Sequence, residues 1–231
     1  IARIDTILAR KPWLLNVHIG DTGNSLLAKA VNKEVPNMAE HLRKRGAKVD
    51  IRSAVLMGWD EDVRAIVKKD PKSLKGARNQ FPPIIDAIHQ RRLSTVKLLL
   101  DLGSSLRYDG PTIWHSDALC HAVERNDAEI VRLILDRIDE SHWRVIARTA
   151  LGEACKPPYS QRDNALVLKM LLDKKPPVTD EPSALGPYLI GTAKHGNVPA
   201  VRLLLQAGAD PDGRGSPANP CLLYTSPSPR D

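Results

Sequence analysis

Apolar residues recur along the chain at helical spacing, in short blocks that come in pairs. In the clearest block, from Pro82 to Gly103, Ala87 marks a first short helix, and Val96, Leu99 and Leu100 mark a second. Positions i, i+3 and i+4 lie on one face of an α-helix, so each second helix is predicted to carry an apolar face. The pattern therefore predicts pairs of short helices joined by tight turns.

This pair of helices returns at regular intervals. Six small residues mark its first helix, namely Ala30, Ala54, Ala87, Ala122, Ala154 and Thr192. The steps between successive markers are 24, 33, 35, 32 and 38 residues. Such a period indicates a repeat protein, in which neighbouring units stack and share a core and no single unit folds alone. We also expect Gly46, Gly103 and Gly208 to end second helices in the left-handed conformation.

Two motifs connect this period to a known family. Val201–Asp210 reads VRLLLQAGAD, and Asp117–Ala122 reads DALCHA, which resembles the T-P-L-H-x-A motif of ankyrin repeats. The chain from about Gly20 to Asp212 therefore resembles an ankyrin array. The resemblance implies an all-α solenoid of stacked helix-turn-helix repeats with short β-hairpin-like finger loops.

The repeats are expected to divide the chain into nine segments. Complete repeats are predicted at 19–50, 75–107, 108–138 and 179–212. The repeat at 51–74 is too short for a finger, and the repeat at 139–178 carries an insertion around Pro157 and Pro158. A linker is predicted at 213–220. Arg43 occupies a position on the apolar face of its second helix, which we call an apolar stripe position. We interpret the arginine there as erosion of its repeat.

Both ends of the sequence depart from the repeat pattern. Ile4, Ile7 and Leu8 already lie at helical spacing, which predicts an upstream repeat, at 1–18, that is cut at its start. The tail Cys221–Asp231 breaks every preceding pattern and resembles a sequencing-adapter read-through; the alternative is a natural Ser/Pro-rich tail. Cut ends would expose apolar stacking faces, so we expect this fragment to be less soluble than its parent.

Composition narrows the class of protein further. Hydrophobic residues make up 42% of the chain and aromatic residues only 4%, which favours an aliphatic core of packed helices. The net charge of +7 would permit contact with nucleic acid or a membrane surface. No apolar run approaches the roughly 18 residues of a membrane span. Outside the tail, Cys120 and Cys155 are too few for a disulfide scaffold, which favours an intracellular location, cytoplasmic or nuclear.

Two groups of residues could form a phosphate-binding loop or a metal or thiol site, but we interpret both as parts of the repeat structure. The segment Gly20–Ser25 lacks the lysine of a phosphate-binding P-loop and lies where an ankyrin finger has its turn. A second set of candidate metal or thiol ligands comprises His115, Asp117, Cys120, His121 and Cys155. Their spacing is not that of a zinc site, and we interpret both cysteines as core residues. We therefore predict no catalytic residue, cofactor or metal, and no enzyme activity.

The densest positive run is formed by Lys68, Lys69, Lys72, Lys75 and Arg78, followed by Arg91 and Arg92. We interpret it as a solvated outer face, because no aromatic residues alternate with it to stack on bases. The alternative is a nucleic-acid-binding array, whose affinity would fall steeply with salt.

The ankyrin resemblance implies that another protein binds the finger tips and the exposed ends of the first helices. The corresponding finger residues are Asp21, Thr22, Asn24, Arg78, Asn79, Phe81, Ile113, Trp114 and Ser116. The corresponding helix residues are Asn32, Lys33, His89, Gln90, Glu124, Arg125, Lys194 and His195. Trp114 and Phe81 are the candidate anchors, since aromatics dominate interface hot spots; the alternative is burial against a neighbouring finger.

The sequence thus predicts a protein-interaction module whose partner it does not identify. The alternative is a regulatory or sensing segment of a larger protein whose catalytic domain lies outside this sequence.

Overall fold

A computed structural model describes residues 2–18, 25–75, 81–107, 117–156, 164–180 and 182–212. It has two compact units, Ile1–Ala118 and Leu119–Asp231. All regular structure in the described ranges is helical, with thirteen α-helices, four short 3₁₀ helices and no strand. The predicted all-α class is confirmed. The finger segments at 19–24, 76–80 and 108–116, the insertion at 157–163 and the tail from 213 onward lie outside the described residues.

The first unit is a succession of helix pairs. Its α-helices are α1 (Ala2–Arg10), α2 (Leu26–Asn32), α3 (Pro36–Lys44), α4 (Ile51–Met57), α5 (Asp60–Lys69), α6 (Pro83–His89) and α7 (Leu93–Asp101). Short 3₁₀ helices cover Pro12–Asn16 and Pro71–Lys75. Within the pairs α2 packs on α3, α4 on α5 and α6 on α7, while α4 also packs on both α2 and α6. The first helices therefore form one continuous row.

The second unit contains the remaining helix pairs. They are formed by α8 (Ala118–Glu124), α9 (Ala128–Arg137), α10 (Glu140–Cys155), α11 (Ala165–Asp173), α12 (Gly186–Lys194) and α13 (Val198–Gln206). Two 3₁₀ helices, Pro177–Asp180 and Pro182–Leu185, precede α12. Here α10 packs on α11 and α12, and α11 packs on α9 and α13.

Burial confirms the predicted helix register. All six first-helix markers are buried, which are Ala30, Ala54, Ala87, Ala122, Ala154 and Thr192. On the second helices, Val96, Leu99 and Leu204 are 0% exposed, whereas Leu100 is half-buried and Leu205 is 42% exposed. Each helix pair therefore buries its apolar face against neighbouring helices, as a stack of repeats requires.

The helix turns repeat one backbone conformation. As predicted, Gly46, Gly103 and Gly208 end second helices with φ of 85°, 91° and 95°. A second set, which the sequence did not predict, lies four residues after the marker in five helix pairs, with φ between 51° and 71°. Its members are Glu34, Gly58, Arg91, Asn126 and Gly196. Because only two are glycines, composition gave little sign of this turn.

Five hydrogen bonds between helix pairs recur with about the same period as the sequence pattern. Their partners are 32 to 40 residues apart, and they are Lys48 with Asn16, Thr95 with Asp60, Arg92 with Leu56, Asn197 with Asn164, and Tyr188 with Arg148. A Cβ atom at Gly58 would lie 2.4 Å from Nη1 of Arg92, so a larger residue there would displace this side chain. Successive repeats are thus joined by polar contacts as well as by the apolar core.

The repeat predicted at 139–178 departs from the pattern at its start as well as at the insertion. Its first helix, α10, has sixteen residues and begins at Glu140, only three positions after α9 ends at Arg137. Asp139 caps it by accepting a hydrogen bond from the backbone N–H of His142 at 2.8 Å. Trp143, Ala147, Ala150, Leu151 and Ala154 are buried along one face. A long helix therefore stands where the ankyrin pattern has a finger loop.

Arg43, at its apolar stripe position, has partners in the next helix pair, which the sequence did not predict. The Arg43 guanidinium carbon, in α3, lies 4.6 Å from the centroid of the Trp59 ring. Its Nε also lies 2.7 Å from a carboxylate oxygen of Asp62 in α5. The aromatic face attracts the cation, and the carboxylate pairs with it. An arginine at this apolar stripe position therefore joins two neighbouring helix pairs, and we call Arg43, Trp59 and Asp62 the Arg43 clamp.

Candidate functional site

The structure describes about half of the predicted binding residues. The finger residues Asp21, Thr22, Asn24, Arg78, Asn79, Ile113, Trp114 and Ser116 lie outside the described residues, so their role stays a prediction. Phe81 is described and is 44% exposed. The helix residues Asn32, Lys33, Gln90, Glu124, Arg125, Lys194 and His195 are exposed, and His89 is half-buried. The described positions are therefore accessible at the ends of the first helices.

An open groove of about 550 Å³ lies along the first helices of the first unit. We call it the first-helix groove. Its helical residues come from three successive helices and are Ala28 and Asn32 of α2, Ile51, Arg52, Ser53 and Leu56 of α4, and Pro83 and Asp86 of α6. The connecting segments add Asn16, His18, Ser25, Lys48, Asp50, Asp70, Lys72, Ser73 and Phe81. One surface thus collects side chains from three repeats.

Hydrogen bonds fix the segments at the edge of this groove. The Asn16 side chain accepts from the backbone N–H of Lys48 at 2.7 Å, which ties the first 3₁₀ helix to the loop before α4. Asp50 caps α4 by accepting from the N–H and the hydroxyl of Ser53, each at 2.8 Å. Asp70 accepts from the backbone N–H of Lys72 at 3.1 Å. A groove with fixed edges loses little conformational entropy when a ligand binds.

The floor of the groove holds an ion pair between neighbouring repeats. The Nε atom of Arg52 lies 3.2 Å from Oδ2 of Asp86, whose side chain is only 13% exposed while that of Arg52 is 50% exposed. Burial raises the pKa of Asp86, and the nearby Arg52 only partly opposes this effect. The Asp86 carboxylate is therefore incompletely compensated, and further hydrogen-bond donors would stabilise its charged form.

Two lysines supply uncommitted donors at the edge of the groove. Lys48 and Lys72 are both exposed. Among the described residues, neither ammonium has a carboxylate within 4.0 Å or a hydrogen-bond acceptor. The groove therefore offers free positive donors at its rim and an under-compensated acceptor in its floor.

Sequence reasoning found only part of this groove. Of the predicted residues Asn32 and Phe81 line it, whereas Lys33, His89 and Gln90 of the same unit do not. It missed Lys48, Asp50, Arg52, Asp70 and Asp86 as binding candidates, and it assigned Lys72 to a solvated outer face. The sequence did contain a signal for the groove residues of α4. Arg52 and Leu56 lie two positions before and after the marker Ala54, just as Ala28 and Asn32 lie two positions before and after the marker Ala30. The shortened repeat had contributed no predicted binding residue.

The interpretation of the two cysteines as core residues is confirmed. Cys120 and Cys155 are buried and form no disulfide, and burial raises the pKa of Cys155 to about 12. Its thiol is therefore protonated and unreactive at neutral pH. Of the predicted finger turn at Gly20–Ser25 only Ser25 is described, where it caps α2 by accepting from the backbone N–H of Ala28 at 3.1 Å.

The basic run is only partly a solvated face. Lys68, Lys69, Lys72 and Lys75 are exposed. Lys72 also lines the first-helix groove, and the Arg92 side chain donates to the carbonyl oxygen of Leu56 at 3.0 Å. Arg78 lies outside the described residues. No helix in the part of the chain that the structure describes is long and apolar enough to cross a membrane.

Stacked helix pairs, a shared core and polar contacts one repeat apart define a helical repeat protein. Comparison with solved structures identifies the kind of repeat. The human ASB11 ankyrin repeat domain is 18% identical, with a TM-score of 0.55 over 81% of this chain and 85% of that chain. The ankyrin repeat domain of Bcl-3 is 21% identical, with a TM-score of 0.51 over 81% of this chain and 88% of that chain. This chain therefore has the ankyrin repeat fold, which confirms the predicted resemblance.

No protein-family model matches the chain, and no curated protein matches it either.

Proposed function

We propose that this chain is a protein-interaction module that binds another protein through the first-helix groove. The observation that carries the proposal is the groove itself, which collects the exposed side of α2, α4 and α6 on fixed edges. Ankyrin repeat folds are typically non-catalytic scaffolds that present such surfaces to partners. No catalytic role, cofactor or metal enters the proposal.

The chemistry of the groove suits a peptide segment. Lys48 and Lys72 can donate to carbonyl or carboxylate oxygens, and Asp86 can accept from amide or cationic groups. Phe81, which is 44% exposed at one edge, offers an apolar contact of the kind that anchors interfaces. A polypeptide carries donors, acceptors and apolar side chains in alternation, so one segment can meet all three. The predicted finger residues, with Trp114 among them, would extend this surface.

The proposal is tested by capturing partners with the full chain and with Lys48→Glu/Lys72→Glu and Phe81→Ala variants. The control is Lys97→Glu, which makes one of the two charge reversals at an exposed position in α7 outside the groove. A partner should bind the chain and the control, but bind the groove variants at least about tenfold more weakly in a direct titration. If every captured partner binds the groove variants normally, the groove is not the binding surface.

A second candidate function is nucleic-acid binding, which the four exposed lysines Lys68, Lys69, Lys72 and Lys75 favour. Against it, Asp50, Asp70 and Asp86 line the adjoining groove and would repel a phosphate backbone. Titration with DNA and RNA at low salt decides between the two, because phosphate contacts weaken steeply as salt rises. Salt-sensitive binding that Lys68→Glu/Lys69→Glu abolishes would favour the second candidate.

The same module could serve as a regulatory or sensing segment of a larger protein. We also propose that it works inside the cell, in the cytoplasm or the nucleus. Cys120 and Cys155 are buried and form no disulfide, which supports a reducing compartment.

A further inference from the structure

The second unit carries a separate groove on its second helices. The groove has a volume of about 380 Å³ and lies between α11 and α13. Its apolar surface is formed mainly by Leu166, Val198, Pro199 and Leu203. Leu166 is 56% exposed and Val198 is 62% exposed. Single exposed apolar residues are common on proteins, but here two from neighbouring helices meet across one depression.

Two of these apolar residues, Leu166 and Pro199, depart from the pattern of the repeats. The second residue of α11 is Leu166 and that of α13 is Pro199. At the same exposed position α3, α5, α7 and α9 carry polar residues, namely Asn37, Glu61, Ser94 and Glu129. Of the helices α3, α5, α7, α9, α11 and α13, only the two that flank the groove are apolar there. This helix position is therefore polar in four helices and apolar in the two that flank the groove.

The charges around this groove are positive. Lys169 and Arg202 line it, and no described carboxylate does. Lys169 pairs with Asp173 one turn further along α11, at 2.6 Å. Arg202 is exposed and has no ion-pair or hydrogen-bond partner among the described residues. The first turns of α11 and α13 also lie here, and the amino ends of helices favour negative charge.

We propose that the groove between α11 and α13 docks an acidic amphipathic helix from another protein. The groove lies between two packed helices, so a third helix can set a row of apolar side chains into it. Leu166 and Val198 would contact that apolar row. Arg202 would pair with a carboxylate at the edge of the partner helix. This surface is independent of the first-helix groove.

A displayed library of random amphipathic helical peptides, selected on the full chain, tests the proposal. Three variants are titrated with the selected peptides. Leu166→Glu introduces the residue that α5 and α9 carry at this position, so the fold should persist, as circular dichroism would check. Arg202→Glu reverses the free charge. The matched control is Val145→Glu, an apolar residue that is 74% exposed on α10 and lies outside the groove.

The expected peptides combine an apolar stripe with net negative charge. They should bind Leu166→Glu and Arg202→Glu at least about tenfold more weakly than the natural chain, and bind Val145→Glu within about twofold of it. The proposal is overturned if no peptide is enriched, if the enriched peptides are basic, or if Leu166→Glu binds them normally. It is also overturned if sedimentation shows a dimer that Leu166→Glu dissociates, because the occupant would then be a second copy of this chain.

Discussion

The Arg43 clamp should stabilise the contact between α3 and α5, and Arg43→Met tests this directly. Methionine keeps most of the aliphatic stem over Trp59 but removes the guanidinium. The stacked cation contributes about 0.5 to 1 kcal/mol at a site of this exposure. The side chains of Arg43 and Asp62 are 30% and 29% exposed, and an ion pair at such a site contributes about 0.2 to 1 kcal/mol. We therefore expect a loss of about 1 to 2 kcal/mol.

Hydrogen exchange of the α3 and α5 amides is the suitable measurement. Repeat arrays need not unfold in one step, so a global midpoint can miss a local change. A loss of 1 to 2 kcal/mol corresponds to exchange that is about 5 to 30 times faster. The control is Arg132→Met in α9, because Arg132 is exposed and has no partner among the described residues.

The control should change local stability by less than about 0.5 kcal/mol. Unchanged exchange in α5 of Arg43→Met would refute the reasoning. So would an increase in stability on Arg43→Leu, since that result would mean that the apolar stripe works better without the cation. High salt should reduce the difference between the natural chain and Arg43→Met, because the pair is partly exposed to solvent.

Three further substitutions, the first with a control, test the turns, the core and the acid response. Glu34→Gly should slow hydrogen exchange of the α2 and α3 amides by relieving a φ of 54°, with a gain of about 0.5 kcal/mol after glycine's entropy cost, whereas Glu129→Gly should speed exchange of the α9 amides. Trp143→Phe should lower the free energy of unfolding by less than about 1 kcal/mol in the same assay. The reason is that the substitution also removes the buried Nε1 donor of Trp143, which has no acceptor among the described residues. A larger loss would mean that the lost ring volume dominates. The hydrogen bond from His41, and then Arg45, lower the pKa of Asp5. The natural chain should therefore be more stable than Asp5→Asn, with the whole difference in the free energy of unfolding present above the ordinary aspartate pKa. This difference should disappear as the pH falls through the lower pKa of the folded state. A difference that does not depend on pH would contradict this.

The candidate grooves were harder to predict from sequence than the fold. The first-helix groove depends on Lys48, Asp70 and Lys72, which lie in connecting segments without a repeat pattern. Which of these side chains face the groove depends on how α2, α4 and α6 pack, and periodicity does not encode that arrangement. The groove between α11 and α13 had a visible signal in Leu166. An exposed Leu166 indicates a groove only because the packing of α13 on α11 brings Val198 close to it.

The sequence by itself determined the helix pairs, their register and the repeat fold. The reason is that spacing along a helix decides which side chains share a face, as the burial of Ala87 and Leu99 illustrates. Only the tertiary structure decided what Arg43 does, because Trp59 and Asp62 become its partners through the packing of α3 against the next repeat. Local periodicity specifies the faces of helices, whereas contacts between residues far apart in the chain decide which faces meet and which polar groups find partners.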